Sequence, residues 1–235
     1  MDPHRNRFRL RRFYGAVASD QNRSILQGVA GNRVLELGCG YGSLIEEARG
    51  LGKEVLGLDI DLLTLKMGKG LYPDLGAQLV QGDMARLPFR DKSFRTVILR
   101  ESLHHVAWEK VLPEILRVCQ REIRIFEPNP NPLLRFCRAL ISHEDREVSP
   151  EALVDRLAEN GVRIEGICFR DVLAFPLSGG FVGREWVPFI VRGLFPFLLR
   201  VDKALQKVAH FLGTERAVCW RYLVKGVFGD GEKEG

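Results

Sequence analysis

At 235 residues, 46% hydrophobic and 28% charged, the chain suits one globular domain with a full core, with room for an appendage. No apolar run approaches the roughly 20 residues of a membrane span, and the Arg-rich start lacks the apolar centre of a signal peptide, so a cytoplasmic protein is expected. Five cysteines, odd in number and without a CxxC pair, indicate neither a disulfide framework nor a metal site.

The net charge of +5 is concentrated early, in Arg5, Arg7, Arg9, Arg11 and Arg12. Residues 1–30 are expected to form a basic arm and a helix. Such an arm could meet phosphate or an anionic membrane surface, or simply be solvated. Five strand candidates follow: Arg33–Leu37, Glu54–Leu58, Ala77–Gln81, Phe94–Leu99 and Glu122–Phe126. Helical patterns lie between them at Ser43–Arg49, at Asp61–Gly70 with Asp61 able to cap, and at Trp108–Val118. This alternation implies a doubly wound parallel α/β sheet, which binds ligands at the carboxyl ends of its strands. Ser149 as N-cap, Pro150 at the first helical position and Gly161 as stop then predict another helix. Val162–Phe169 and Ala217–Val227 read as two late strands. The long segment 171–216 separating them is rich in Leu, Phe and Trp, yet interrupted by Arg184, Arg192 and Arg200. It reads as an amphipathic helical insert, with Pro176, Pro188 and Pro196 breaking it into short helices and Gly179-Gly180 giving a flexible entry.

The stretch VLELGCGYGSL, Val34 to Leu44, is where chemistry enters. A phosphate loop needs Lys-Ser or Lys-Thr after its last glycine, but Gly42 is followed by Ser43-Leu44. A dinucleotide fingerprint reads GxGxxG, whereas Gly38, Gly40 and Gly42 alternate. Asp59 closes the second strand roughly 20 residues later, where a carboxylate can accept both hydroxyls of a ribose. Asp83, in QGDMARLPF, stands just past the third strand, and His104-His105 follow the fourth.

In this order and at these strand ends, the motifs resemble the class I S-adenosylmethionine-dependent methyltransferases, in particular the small-molecule and lipid-modifying group typified by quinone-biosynthesis enzymes. The resemblance covers about Val34 to Gly166 and, more loosely, WRYLVKG. It implies a Rossmann-like seven-stranded sheet in the order 3-2-1-4-5-7-6 with the last strand antiparallel. The cofactor-binding domain is expected at 31–170 and 217–228, and the insert at 171–216, a departure from the family, is expected to form a lid that selects the acceptor. The resemblance also implies S-adenosyl-L-methionine as cofactor, with Gly38, Cys39, Gly40 and Gly42 giving close backbone approach, Glu36 near the cationic amino group, and Asp59 on the ribose. Ile60 would face the adenine, Asp83 and the Met84 backbone would read its edge, and Arg100 belongs to the same cofactor set.

A sulfonium methyl is already activated, so positioning in a dry pocket supplies much of the catalysis, and a base matters only where the acceptor must lose a proton. His104, His105 and Glu127 are the candidates for catalysis; the histidine pair also fits a structural helix start. Asn129 and, less strongly, His143 could orient the acceptor. Phe94-Arg95 and CQRE depart from the family's usual fourth-strand opening and fifth-strand turn, positions that are normally structural. The aromatic insert favours a small or lipid-like acceptor, with peripheral membrane contact as an option and no required protein partner evident. Nucleic acid, and hence an RNA methyltransferase using the basic arm, is less favoured because no recognisable RNA-binding module accompanies it. Two other readings are a nicotinamide-dependent oxidoreductase and a methyltransferase-like binding protein without turnover.

Overall fold

The first four strands are mostly short runs of β-branched and leucine residues that end near turn residues. They are β1 (Val34–Leu37), β2 (Val55–Asp59), β3 (Leu79–Gln81) and β4 (Phe94–Arg100). A longer β5 (Cys119–Pro128) follows, then β6 (Val162–Arg170) and β7 (Arg221–Phe228). Together they form one mixed sheet in the order β3-β2-β1-β4-β5-β7-β6, as expected. The computed structural model describes residues 15–29, 31–141, 146–177 and 194–229.

Parallel register pairs Leu37 with both Leu58 and Leu99, and Asp59 with Gln81. The carboxyl ends of four strands therefore share one edge, which is where such a sheet presents a ligand site. β7 is antiparallel: its first flank, at Trp220, meets the far ends of both neighbours. Asn129 N–H donates to Trp220 C=O, and Trp220 N–H donates to Arg170 C=O.

Contacts divide the described residues into two units. The larger comprises residues 25–128, 146–168 and 223–229. Its core joins Val34, Val55, Leu79, Ile98, Phe126 and Leu223 from the strands to Leu44, Ile45 and Ala48 of α2 (Ser43–Gly50). Helix α3 (Leu62–Leu71) starts where expected because the Asp61 carboxylate accepts from Leu63 N–H at 2.9 Å. α4 (Trp108–Val118) buries Val111, Leu112, Ile115 and Leu116 at helical spacing. α6 (Pro150–Glu159) is capped by Ser149, whose hydroxyl accepts from Ala152 N–H. Arg124, buried on β5, donates to the carbonyls of Ile25 and Gln27 and to Glu122, so it closes the carboxyl end of α1 (Gly15–Leu26).

The smaller unit comprises residues 15–24, 129–141, 169–177 and 194–222. It contains α5 (Pro132–Ile141), which the sequence reading missed, α7 (Ala174–Leu177), α8 (Phe195–Phe211) and α9 (Glu215–Val218). Its carboxylates tie segments together: Asp202 accepts from Leu173 and Ala174 N–H, and Asp20 pairs with Arg170 and Lys203.

Three expectations need correction. The last strand starts at Arg221, not Ala217, because the carbonyls of Thr214 and Glu215 close helical turns while those of Arg216 and Cys219 accept from the Asn129 amide. The third strand starts at Leu79, not Ala77, since residues Pro73–Gln78 form a 3₁₀ turn. Pro196 does not break the insert into short helices but lies in the first turn of a 17-residue one, where its missing N–H costs nothing. Pro188, Gly179 and Gly180 lie outside the described residues, as do the arginines at positions 5–12. Among the described residues no helix is long and apolar enough to cross a membrane.

Candidate cofactor and acceptor site

The glycine loop leaves β1 at Gly38, whose φ of +70° suits glycine and whose Cβ, if present, would stand 2.5 Å from Ser102 Cβ. Gly38 and Cys39 N–H both donate to Leu58 C=O, at 2.8 and 3.1 Å, fastening the loop to the end of β2. Gly40 N–H donates to Asp59 Oδ2 at 2.8 Å, and Gly42 forms the N-cap of α2 at φ +80°. The Cys39 side chain packs in the core, and burial pushes its thiol pKa far up, so it stays protonated and contributes packing.

Beneath this loop lies a charge without a proper partner. Glu36 is fully buried on β1, and neither carboxylate oxygen has a hydrogen-bond partner among the described residues. Arg100 Nε approaches Glu36 Oε1 only to 3.5 Å, while Arg100 Nη2 donates to Ser43 Oγ at 2.9 Å. Burial raises the Glu36 pKa to about 7, against the lowering influence of Arg100. A desolvated carboxyl with only this long ion pair lacks hydrogen-bond donors, which a bound ligand would bring.

Around the same strand edge stand the other expected cofactor residues. Asp59 accepts from Gly40 N–H through Oδ2 and from Asp61 N–H through Oδ1, leaving lone pairs on both oxygens for further donors. Ile60 is 67% exposed, an apolar side chain at the open edge of β2. Asp83 Oδ1 accepts from Ala85 N–H in an exposed turn. Met84 Cε lies 3.8 Å from the place a Gly38 Cβ would occupy, so this turn reaches the glycine loop.

A second cluster follows β4. Glu101, at φ +51°, turns the chain, and Ser102 and Leu103 N–H both donate to Glu127 Oε1 at 2.8 Å. The other oxygen of Glu127 lies 2.6 Å from His104 Nδ1. A carboxylate only accepts, so Nδ1 carries the proton that it donates to Glu127. His104 and Glu127 are buried, whereas His105 is exposed with its ring 4.0 Å from that of His104. The sequence placed Glu127 at the ligand edge but gave no sign that it would hold His104. Asn129 is different: its amide donates to Arg216 and Cys219 C=O and accepts from Arg216, so it fixes the entry to β7 instead of facing an acceptor. His143 lies outside the described residues. Among the described residues no cluster of three or more His, Cys, Asp or Glu could hold a metal ion.

This glycine loop, acidic strand end and mixed sheet define the class I S-adenosylmethionine-dependent methyltransferase fold, and residues 35–126 match the family described as a methyltransferase domain. Residues 35–126 thus carry the sequence signature of a methyltransferase domain. The chain is 40% identical over 91 residues to a demethylmenaquinone methyltransferase of Renibacterium salmoninarum, covering 38% of each protein. It is 34% identical over 93 residues to a fatty-acid O-methyltransferase of Mycolicibacterium smegmatis, covering 38% of this chain and 34% of that one. These matches thus span well under half the length of the relatives. A SAM-dependent methyltransferase structure from Archaeoglobus fulgidus superposes with a TM-score of 0.63 at 21% identity, covering 96% of this chain and all of that one, a likeness of fold.

Proposed function

We propose that the chain is a cytoplasmic S-adenosylmethionine-dependent methyltransferase acting on a small, apolar or lipid-like acceptor. The observation that carries the reading is the buried, hydrogen-bond-deficient Glu36 carboxylate beside a glycine loop in which a side chain at Gly38 would collide with Ser102. Glu36 would hold the cationic amino group, Asp59 the ribose hydroxyls, and Ile60, Asp83 and Met84 the adenine. Bound S-adenosylmethionine supplies an electrophilic sulfonium methyl. His104 Nε2 would take the acceptor's proton, and Glu127 would hold the imidazole in that tautomer, the base-and-orienter logic of many nucleophile-activating sites. The acceptor class rests on the quinone- and fatty-acid-modifying relatives together with the aromatic insert. We assign acceptor choice to the insert, residues 171–216, as a lid. Four described cysteines are free thiols, in keeping with a reducing compartment.

Titration calorimetry with S-adenosylmethionine, S-adenosylhomocysteine and NADH tests the reading. One-site binding of the first two with none of the third is expected. NADH binding alone would move the chain to the oxidoreductases, and no binding by any of the three in the folded protein would sink the proposal.

A further inference from the structure

The helix α8 buries Asp202 and Ala209 on one side and leaves the other exposed among the described residues. Phe197, Val208, Phe211 and Leu212 are 61%, 52%, 87% and 62% exposed. Spacings of eleven, three and fourteen residues, each close to a whole number of helical turns, put Phe197, Val208 and Phe211 on one stripe, with Leu212 at its margin. Arg200 and Lys207, both exposed and one heptad apart, run along the stripe's flank, with Lys203 and His210 further round. The helix contains one acidic residue, Asp202, and that one is buried.

Exposed phenylalanines are costly in water, and several on one helix face mark a surface that meets something. The charge pattern selects the occupant. A second copy of the chain related by a twofold axis would set Arg200 and Lys207 against cations of the same helix. An apolar wedge bordered by cations of one sign instead matches an anionic bilayer, in which the Phe and Val side chains enter the acyl boundary while the basic groups stay at the phosphates. At 17 residues, about 25 Å, the helix lies along such a surface instead of crossing it.

We propose that α8 is a membrane-docking helix that places the protein on anionic phospholipid, with Phe197, Val208 and Phe211 inserted and Arg200 and Lys207 on the headgroups. Docking is a property of this helix face and is read without cofactor or turnover, so it stands or falls separately from methyl transfer.

The test is sedimentation of the full chain with vesicles of phosphatidylcholine alone and of phosphatidylcholine mixed with phosphatidylglycerol. The parent should bind the anionic vesicles, release in high salt, and bind neutral ones far less. Arg200→Gln/Lys207→Gln keeps good helix formers and should weaken binding by about 30-fold, since each basic group near an anionic surface is worth roughly a factor of five. Phe197→Ser/Phe211→Ser should abolish binding. Equal binding by the parent to neutral vesicles, no binding to either, or undiminished binding by the charge variant would each overturn the proposal. So would light scattering that gives a dimer for the parent and a monomer for the Phe variant, because the face would then be an interface between copies. Should the Phe variant fail to fold, the charge variant still decides.

Discussion

Replacing Glu36 by Gln tests the buried carboxyl most sharply, because the structure fixes both the sign and the size of the effect. In the unfolded chain this group loses its proton near 4.5; in the folded protein, burial delays the loss to about 7. Between those values the folded state binds more proton than the unfolded one, so this group's contribution to stability falls as pH rises. Below the window both states are protonated and the contribution vanishes; above it, the cost levels off at about 3 kcal/mol. Asp171, also raised by burial to about 6, adds a dependence of the same sign. It is present in parent and variant alike and cancels in their difference. Urea unfolding at pH 4.5 and pH 8 should therefore find Glu36→Gln gaining about 3 kcal/mol on the parent between the two pH values. Saturating S-adenosylhomocysteine should stabilise the parent far more than the variant, since a charge-assisted contact is worth about 1.5–3 kcal/mol. A stability difference independent of pH would refute the argument that Glu36 is a desolvated carboxyl awaiting a cation.

His104→Gln should lower kcat by about 10²–10⁴ for a proton-bearing acceptor while leaving S-adenosylhomocysteine affinity unchanged in calorimetry; an equal loss of affinity would make His104 part of the donor site. Gly38→Ala forces a Cβ to 2.5 Å from Ser102 Cβ at a φ of +70°, so cofactor binding should fall at least tenfold and thermal stability should drop, both measurable by differential scanning fluorimetry with and without ligand. Arg124→Met leaves Glu122 and two carbonyls without their donor and should cost about 3–5 kcal/mol in urea unfolding. Exchange of residues 171–216 for a Gly/Ser linker should keep cofactor affinity within about threefold in a folded product and abolish transfer to the native acceptor; retained transfer would make the insert merely structural.

The sheet was legible because the parallel strands are mostly short runs of β-branched and leucine residues that end near turn residues, and because the Asp61 and Ser149 caps act within three residues of their helices. What escaped the sequence depends on partners far along the chain. Ala217–Val227 has strand-like character throughout, but Ala217 and Val218 close a helical turn on Thr214, and the Asn129 amide, ninety residues earlier, takes the Cys219 carbonyl. Glu127 looked like one more acidic group at the ligand edge, and only the fold brings it to the Ser102 and Leu103 amides and the His104 ring. Arg124 lies inside the predicted strand Glu122–Phe126, and only the fold shows its guanidinium answering Glu122 two residues away and the end of a helix about a hundred residues back. In the sequence alone Pro196 reads as a breaker, because a proline at the first helical turn and one in the interior look the same until the helix start is known.

The central claim, that Glu36, the glycine loop and Asp59 form one cofactor site, is tested most directly by a crystal structure of the full chain with S-adenosylhomocysteine. The expected map places the ligand's amino nitrogen about 3 Å from a Glu36 carboxylate oxygen, both ribose hydroxyls on Asp59, and the adenine between Ile60 and the Asp83–Met84 turn. Ligand density elsewhere, or a bound ligand that leaves the Glu36 carboxyl without a donor, would contradict it.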